Sequence, residues 1–410
     1  MKTLLPCLLA LSATLLPIAQ AQAAKPSMLR AQGGAIVDAK GKPVTLRGVN
    51  LGGWLVEEMW MQPFVTKPPE GSSEAPVKDH VTLWKTVEKR LGAKAKTRVQ
   101  TAFRNSWIEE SDFDRIQAAG FNCVRVPFLA ELADEPGGLA WLDRAVSWAD
   151  KRGMYVILDL HGAPGGQSDQ DHTGQSGVNL FFKEPKNIEA AQALWTRLAK
   201  RYRKSSAVAG YDLLNEPMGA ANSAALYQVQ DTLYKAVRAG DPDHLVFIED
   251  GYKGIQHMPD PTAMGWTNVV LSVHYYNFNA KTPEDQTKSS DGIIADIQAE
   301  REKRKVPYYL GEFCMEPHGT SDTLTRFVTS MQGQSISWSP WSYKVTWAKG
   351  GQSQWGLYSN AAPITPIDPF QDTEAQMIEK CRRLRTEKLD ENKSITTVYK
   401  ITAGKQIVDR

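Results

Sequence analysis

The sequence has few cysteines, and this limits the role of disulfide bonds. Cys7 lies in an N-terminal apolar segment, and only Cys123, Cys314 and Cys381 remain beyond it. An odd number of cysteines cannot all pair within one chain, and there is neither a C-x-x-C motif nor a metal-type cysteine spacing. Cys123 and Cys314 lie inside apolar runs, so we expect buried free thiols there rather than a disulfide framework.

An excess of charge of either sign is also missing. The chain has 48 Lys and Arg against 46 Asp and Glu, a formal net charge of +2. This balance argues against nucleic acid or an anionic membrane as the main partner. No G-x-G-x-x-G motif follows an apolar run and no G-x-S-x-G motif occurs, which argues against a dinucleotide-binding sheet and a serine hydrolase.

Long hydrophobic runs are confined to the N-terminus. Residues 1–23 contain one Lys, an apolar stretch over 4–18, and small residues at Ala19, Ala21 and Ala23. This pattern is typical of a cleaved secretory signal, and the stretch is shorter than the roughly 20 residues that a membrane-spanning helix needs. We therefore predict a signal peptide at 1–23 and an exported protein, periplasmic or secreted, with no membrane partner.

What the sequence does contain is a regular alternation of short apolar runs and longer amphipathic segments. Most of the runs are almost continuously hydrophobic, as in parallel strands covered on both faces. The runs are residues 45–53, 121–128, 154–162, 208–217, 244–251, 269–276, 306–313 and 335–344. Eight strands alternating with helices predict an α/β fold, a (β/α)8 TIM barrel. We predict one catalytic domain over 24–410, with an N-terminal hairpin that turns at Lys40–Gly41 and is placed to plug the barrel.

Polar and aromatic residues gather toward the C-terminal ends of these runs, where (β/α)8 barrels build their active sites. They are Arg125, His161, Glu216, Glu249, His274, Tyr276, Glu312 and Trp341. The segment GAPGGQSDQDHTGQSG (162–177) is also too long and polar for a plain connection, so we interpret it as a functional loop.

Two of these carboxylates form a candidate catalytic pair. Glu216 ends an apolar run in GYDLLNEPMG (210–219), and Glu312 ends another in YLGEF. A buried carboxylate is costly unless it is paired or used, and glycosidic cleavage needs one carboxylic acid and one carboxylate. For either residue alone a structural salt bridge would be the simpler interpretation, but two such strand ends favour catalysis. Glu249 has no such motif around it, and we interpret it as structural or supporting.

With these residues in place, the chain resembles glycoside hydrolase family 5, in the clan of (β/α)8 retaining glycosidases. Its first half is most similar to the exo-β-1,3-glucanase group of that family. The resemblance covers about residues 45 to 345. It rests on RGVNLGGWLVEEMW, SWIEESDFDRIQAAGFNCVRVPF, LDLHGAPGGQSDQDHTG, LLNEP, VHYY, LGEF and WSYK, in this order.

The resemblance implies a role for each strand-end residue. Glu216 would be the acid/base, protonated before attack, and Glu312 the ionised nucleophile, with retention of the anomeric configuration. Arg125 would hydrogen-bond the nucleophile and keep it ionised, and Asn215 would bind the sugar 2-hydroxyl.

The remaining family positions concern substrate binding. His161, His274 and Tyr276 match a ring of donors around the two acids, and Trp341 matches the indole that stacks on the sugar at the cleavage point. In the exo-acting group, acids at the positions of Glu58 and Asp171 bind the terminal sugar and close the pocket, so these residues favour an exo mode. The resemblance requires no cofactor.

The chain departs from the group on loops that contact substrate. VPFLAELADEPGG replaces an aromatic-rich segment, and the chain after residue 345 matches poorly, although Trp347 and Trp355 could form sugar platforms. We expect a retaining hydrolase of β-glucans or glucooligosaccharides, acting from the non-reducing end. The alternatives are an endo-acting cellulase or another β-glycanase, and a non-catalytic carbohydrate-binding barrel.

A metal site in and just before the loop 162–177 is an alternative interpretation. His161, Asp169, Asp171 and His172 are residue types that bind metals, but no two-His helix motif accompanies them. We therefore predict no metal.

Overall fold

The computed structural model describes residues 24–405, so the predicted signal peptide at 1–23 lies outside the described residues. A sheet of seven parallel strands forms its centre, with the strands in sequence order. They are β3 (Cys123–Leu129), β4 (Tyr155–Gly162), β5 (Val208–Asp212), β6 (Leu245–Glu249), β7 (Val269–Tyr275), β8 (Tyr308–Phe313) and β9 (Ser337–Trp338).

The segment around Gly48 closes this sheet into a barrel. Its backbone bridges β9 at Arg47 and Trp338 and bridges β3 at Asn50 and Arg125, both in parallel. Gly48 N–H donates to the carbonyl of Trp338 at 2.7 Å, and Arg125 N–H donates to the carbonyl of Val49 at 3.0 Å. The segment thus takes the place of the eighth strand, and the predicted (β/α)8 barrel is confirmed.

Helices surround the barrel. They are α1 (His80–Leu91), α2 (Ala93–Trp107), α3 (Glu110–Ala118), α4 (Leu139–Lys151), α5 (Pro185–Tyr202), α6 (Ser223–Gly240), α7 (Pro283–Arg304), α8 (Ser321–Gly333), α9 (Glu374–Arg382) and α10 (Lys393–Lys405). Their apolar faces cover the outward side chains of the strands; Trp195 of α5, for example, packs against Phe128 and Tyr211. Within residues 24–405 no helix combines the length and the apolar character that crossing a bilayer requires.

An N-terminal hairpin covers the bottom of the barrel. Strands β1 (Arg30–Gln32) and β2 (Ala35–Val37) pair antiparallel and turn at Gly33–Gly34, not at the predicted Lys40–Gly41. A second turn lies at Lys40–Gly41, where Gly41 N–H donates to the carbonyl of Asp38 and a single bridge pairs Val37 with Pro43. Leu29 and Ile36 pack in one cluster with inward-facing strand residues, including Ile157, Phe247 and Tyr309. The hairpin therefore fills the bottom of the barrel with apolar side chains.

Two strands, β5 and β9, are at most half as long as their apolar runs. The run at 208–217 leaves the ladder after Asp212, and Glu216 lies in the left-handed backbone region with φ of 41°. The run at 335–344 is a regular strand only at Ser337–Trp338. In both places the chain turns at the barrel mouth to direct side chains into it. A further short pair, β10 (Tyr358–Ser359) and β11 (Asp390–Glu391), joins the segments that follow the barrel.

Candidate active site

Arg125 occupies the centre of the barrel mouth. It projects from β3, its side chain is fully buried, and carboxylates from four other strands surround its guanidinium group. The contacts are Nε to Asp212 at 2.8 Å, Nη1 to Glu312 at 2.8 Å and to Asp159 at 3.2 Å, and Nη2 to Glu249 at 3.1 Å. One cation thus holds four acids together in a space from which water is largely excluded.

Because the carboxylates outnumber the cation, some of them hold protons. Burial raises the pKa of Asp159 well above its ordinary value despite the attraction of Arg125. Burial also raises the pKa of Glu249 to about 8, against the attraction of His274. The acids in turn raise the pKa of Arg125, which burial alone would lower. The guanidinium therefore stays charged, while part of the acid set is neutral near pH 7.

Glu312 is held by donors on both oxygens. Its Oε1 accepts from Arg125 Nη1 at 2.8 Å and its Oε2 accepts from Tyr276 Oη at 2.8 Å. Burial raises the pKa of Tyr276 well above its ordinary value, so the phenol keeps its proton and remains a donor. The two contacts fix the orientation of the Glu312 side chain at the end of β8.

Glu216 faces Glu312 across the mouth. Its Oε1 accepts from His274 Nδ1 at 2.9 Å and from Tyr252 Oη at 2.7 Å, and its backbone N–H donates to Glu249 at 2.7 Å. Burial acts to raise the pKa of Glu216, but His274, His172 and Tyr252 together lower it below its ordinary value. One oxygen of Glu216 and one of Glu312 lie within 4.8 Å of each other.

The two predicted histidines take opposite charge states. Burial tends to lower the pKa of His274, but the carboxylates of Glu249, Glu312 and Glu216 raise it well above its ordinary value. His161 Nδ1 lies 2.7 Å from Asp159, and its ring stacks on Trp341 with centroids 5.3 Å apart. Burial lowers the pKa of His161 well below its ordinary value, so this ring is neutral.

A cavity of about 610 Å³ opens over these groups. Its lining is Glu58, Trp60, His161, Gln170, Asp171, His172, Asn215, Glu216, Met218, Tyr252, Tyr276, Phe278, Glu312, Trp341 and Trp355. All the predicted site residues except Arg125 and His274 therefore line one cavity, and those two lie directly behind it. A cavity of about 900 Å³ between α7 and α8 is larger, but it is an open groove far from these acids.

Two side chains in the cavity have polar atoms without a protein partner. Glu58 accepts from Trp60 Nε1 at 2.8 Å through Oε2, and its other oxygen is buried and unpaired. Burial raises the pKa of Glu58 well above its ordinary value, against the Trp60 hydrogen bond and with a further contribution from Asp171. Asn215 accepts from Arg125 at 2.9 Å, and its buried Nδ2 has no partner. Both groups can bind a polyhydroxylated ligand.

Aromatic rings form one wall of the cavity. Tyr276 and Phe278 stack with centroids 5.6 Å apart, Trp355 lies against both, and Trp60 meets Trp355 edge-on at 5.0 Å. Phe278 is 63% exposed. Exposed rings beside hydroxyl-binding groups suit the flat apolar face of a pyranose.

Sequence reasoning missed several groups at this site. Asp159 and Asp212, which contact Arg125, occupy positions inside apolar runs, and nothing in those runs marks them as site residues. The spacing of two residues from Asp159 to His161 is a signal that could have found Asp159, because it places these two side chains on the same face of β4. Tyr252 lies on a loop, and no periodicity points to it. His172 lies in the loop 162–177, which the sequence marks as functional, but the sequence offers it only as a metal candidate. Trp347 and Trp355 both pack against the core, and of the two Trp355 lines the cavity, as a ring platform should.

The residues of the alternative metal interpretation are engaged elsewhere. His161 pairs with Asp159 and stacks on Trp341, and His172 lies between Ser168 and Glu216. Among the described residues, no tight group of metal-ligating side chains includes His161, Asp169, Asp171 or His172.

Fold and site together are those of a barrel-type glycoside hydrolase: two carboxylates on different strand ends face each other in a cavity lined by rings and hydroxyl-binding groups. Residues 88–346 match the family model described as "Cellulase (glycosyl hydrolase family 5)". The chain belongs to glycosyl hydrolase family 5.

Curated relatives agree with this assignment, and a solved structure shares the fold. A protein of Aspergillus clavatus named "Probable glucan 1,3-beta-glucosidase A" is 31% identical over 86% of this chain and 84% of its own length. One of the same name from Neosartorya fischeri is 34% identical, but the match covers 56% of this chain and about half, 55%, of that relative. Rutinosidase from Aspergillus niger shares the fold with a TM-score of 0.59 and 18% identity, over 82% of this chain and 98% of its own.

Proposed function

We propose that the protein is a retaining β-glycoside hydrolase that removes sugar units from the non-reducing end of β-glucans or glucooligosaccharides. The separation of the two acids carries the proposal, because carboxyl groups about 5 Å apart suit a covalent glycosyl-enzyme, whereas inverting enzymes need about 6.5–9.5 Å. Oxygens of Glu216 and Glu312 lie within 4.8 Å. The names of the curated relatives support a β-1,3-glucan substrate.

The reaction proceeds in two balanced steps. Glu312 attacks the anomeric carbon and forms an ester bond, while the glycosidic C–O bond breaks and its oxygen takes a proton from Glu216. Glu216, now a carboxylate, removes a proton from water; the water oxygen attacks the anomeric carbon, and Glu312 leaves as a carboxylate. Tyr276 and Arg125 hold Glu312 in line for both steps.

The charge state of the cavity bears on the first step. The hydrogen-bond donors around Glu216 lower its pKa and hold it as a carboxylate, which is the form that the second step needs. We infer that a bound sugar displaces solvent from Oε2 and places the glycosidic oxygen beside it, so that the carboxyl takes up a proton as the substrate binds.

The pocket shape favours exo action. Glu58 and Asp171 lie in the same cavity as the catalytic pair, where they can bind the hydroxyls of a terminal sugar. If the mode is exo, free glucose appears from laminarin before viscosity falls; a fall in viscosity that precedes glucose would favour the endo alternative. Products from β-1,3-, β-1,4- and β-1,6-linked glucooligosaccharides then identify the linkage.

The catalytic assignment is tested by Glu216→Gln and Glu312→Gln. Each is expected to lower kcat/KM on glucooligosaccharides by at least about 10²–10⁴-fold, with the thermal unfolding temperature little changed. Glu70→Gln, on an exposed loop, is the matched control. Near-normal turnover by either active-site variant would refute the assignment, and binding without hydrolysis by the unaltered protein would favour the non-catalytic barrel.

Azide separates the two roles. It should rescue Glu216→Ala and yield a β-glycosyl azide, because Glu312 still forms the ester. With Glu312→Ala, azide takes the place of the nucleophile and the product is the α-azide. The reverse pattern would exchange the roles.

We also propose that the protein is exported, on the basis of the pattern in residues 1–23. N-terminal sequencing of the protein from fractionated cells should find a mature chain that starts after Ala21 or Ala23. Recovery of the intact N-terminus inside the cell would contradict this.

A further inference from the structure

Glu216 has a hydrogen-bond partner from a part of the chain outside the barrel strands. Tyr252, on the loop after β6, donates through Oη to Glu216 Oε1 at 2.7 Å. The ring itself reaches the surface, since the residue is 47% exposed. A half-exposed tyrosine whose hydroxyl reaches a buried carboxylate is held there by its backbone rather than by core packing.

The backbone of this loop shows how that is achieved. Tyr252 has φ of 57°, in the left-handed region that β-carbon-bearing residues rarely adopt. Asp250 accepts the N–H of Tyr252 at 3.3 Å through its side chain and the N–H of Lys253 at 3.0 Å through its carbonyl. Lys253 Nζ in turn donates to the carbonyl of Met218 at 3.0 Å. The loop is thereby fastened to the segment that carries Glu216.

The two oxygens of Glu216 therefore differ. Oε1 accepts two hydrogen bonds, from His274 and from Tyr252. Oε2 accepts no such hydrogen bond from the described residues; the Nδ1 atom of His172 lies 3.6 Å from it. An oxygen that already accepts two strong hydrogen bonds is a poor site for a mobile proton, so Oε2 is the oxygen free to exchange a proton with a leaving group.

We propose that Tyr252 is a positioning residue for the acid/base: its hydroxyl engages Oε1 of Glu216 and so directs proton transfer through Oε2. This inference rests on the proposed glycosidase function. It adds a residue that comes from a loop rather than a strand end, and that acts through Glu216 without itself exchanging a proton.

The charged and titratable groups around Glu216 determine what losing this hydroxyl would do. His274 of β7 and His172 of the loop 162–177 favour the carboxylate, whereas the acids Asp250, which follows β6, and Glu58 oppose it. Glu249, which accepts the backbone N–H of Glu216, and Glu312, with an oxygen within 4.8 Å, also face this group. Burial first, and then the charge of Glu216, raise the pKa of Tyr252, so the phenol stays protonated throughout the working range and is always a donor. Removing it takes away a donor that stabilises only the ionised form of Glu216.

The test is Tyr252→Phe, which keeps the ring and removes one oxygen. We expect the basic limb of the kcat/KM–pH profile to move up by about one pH unit, because losing a hydrogen bond to the ionised carboxylate raises the pKa of Glu216 by about that amount. We also expect kcat/KM on an unactivated glucooligosaccharide to fall about tenfold, with a much smaller loss on a dinitrophenyl glycoside, whose leaving group needs no proton.

Tyr234→Phe is the matched control. Tyr234 is a tyrosine of α6 whose hydroxyl bonds to Thr267 on the outside of the barrel. The Tyr234→Phe variant should leave unchanged both the pH profile and the ratio of kcat/KM for the glucooligosaccharide to kcat/KM for the dinitrophenyl glycoside. If Tyr252→Phe behaves like this control, Tyr252 only fills space and the proposal is wrong.

The outcome also separates this inference from the proposed function. If the unaltered enzyme hydrolyses glycosides and Glu216→Gln does not, but Tyr252→Phe keeps the normal profile, only the role of Tyr252 fails. If the unaltered enzyme hydrolyses no glycoside, the proposed function fails and the role of Tyr252 fails with it.

Discussion

At the scale of single residues, Arg125 controls the charge balance of the barrel interior. Its guanidinium contacts Asp159, Asp212, Glu249 and Glu312 with no exposure to solvent. Burying a guanidinium group costs free energy. Removing it would cost more, because the carboxylates around it would stay buried without a cation. Stability and catalysis therefore depend on the same side chain.

Arg125→Met should lower the free energy of unfolding by about 3–5 kcal/mol at pH 8, because it leaves buried carboxylates without their cation. The loss should be smaller at pH 5, where more of those acids are protonated. Urea denaturation at both pH values measures this, with Arg326→Met, which breaks an exposed pair with Asp291, as a control that changes little. Equal losses for the two variants would contradict the role given to Arg125.

Glu249 gives the stability of the protein a pH dependence of its own. Its pKa is raised from 4.5 to about 8, with burial as the main cause. The folded state therefore holds a proton that the unfolded state releases between these values, so the free energy of unfolding falls as pH rises through this window. Glu249→Gln removes that proton uptake. We expect its unfolding free energy to decline less between pH 5 and pH 8, by on the order of 2–4 kcal/mol, in urea titrations; an unchanged slope would contradict this.

The strand-end residues of this site could be predicted because one rule places them: parallel strands bring their C-terminal ends to one face. Glu216, Glu312 and His161 follow it. Tyr252 could not be predicted, since its hydroxyl reaches Glu216 only through a left-handed backbone turn that no hydrophobic pattern encodes. The proton distribution also lay beyond the sequence. The resemblance implies a Glu216 that is protonated before attack, but its pKa in the free protein depends on how many donors converge on one oxygen, and this is known only in three dimensions.

At the scale of elements, the segment around Gly48 shows why an apolar run need not become a regular strand. Its residues bond alternately to β3 and to β9 or the residues just after it, and the backbone turns at Gly52 and Gly53 before Leu55 bridges β3 again at Phe128. Gly52 must be a glycine for a steric reason: a β-carbon there would lie 2.8 Å from Trp341 and 2.7 Å from Ser342. The sequence predicts the run, but not the ring packed against its glycine.

Gly52→Ala is therefore expected to push Trp341 out of place. Overpacking of this kind costs about 1–3 kcal/mol, and a displaced sugar platform should raise KM severalfold more than it changes kcat. Gly292→Ala is the control: an added β-carbon meets nothing within 4 Å in the middle of α7, and it should stabilise the protein by up to about 1 kcal/mol. A Gly52→Ala enzyme with normal KM and stability would contradict the steric account.

At the scale of the whole molecule, the part of the chain that the structure describes, residues 24–405, contains no disulfide bond. Cys123, Cys314 and Cys381 are free and buried, as expected for the first two from their apolar surroundings. Burial raises the pKa of all three thiols, which lowers their reactivity further.

We expect dithiothreitol to leave the unfolding temperature unchanged. A chromogenic thiol reagent such as dithiobis(nitrobenzoate) should label these cysteines only after denaturation. An absorbance assay with and without urea measures this. Rapid labelling of the folded protein would mean that at least one of these thiols is accessible.

The closing of the barrel by the segment around Gly48 has a consequence for how the chain is made. Leu46 bonds to Ser337 across 291 residues of sequence, so a ribosome must deliver most of the polypeptide before the first segment can meet the last. Until then the unpaired edges of β3 and of the growing sheet stay open to other chains. Assembly of the barrel is thus a late event of synthesis. Arg125 donates to Asn50 Oδ1 at 3.1 Å as well as to Glu312, so the catalytic centre is complete only once that ring has closed.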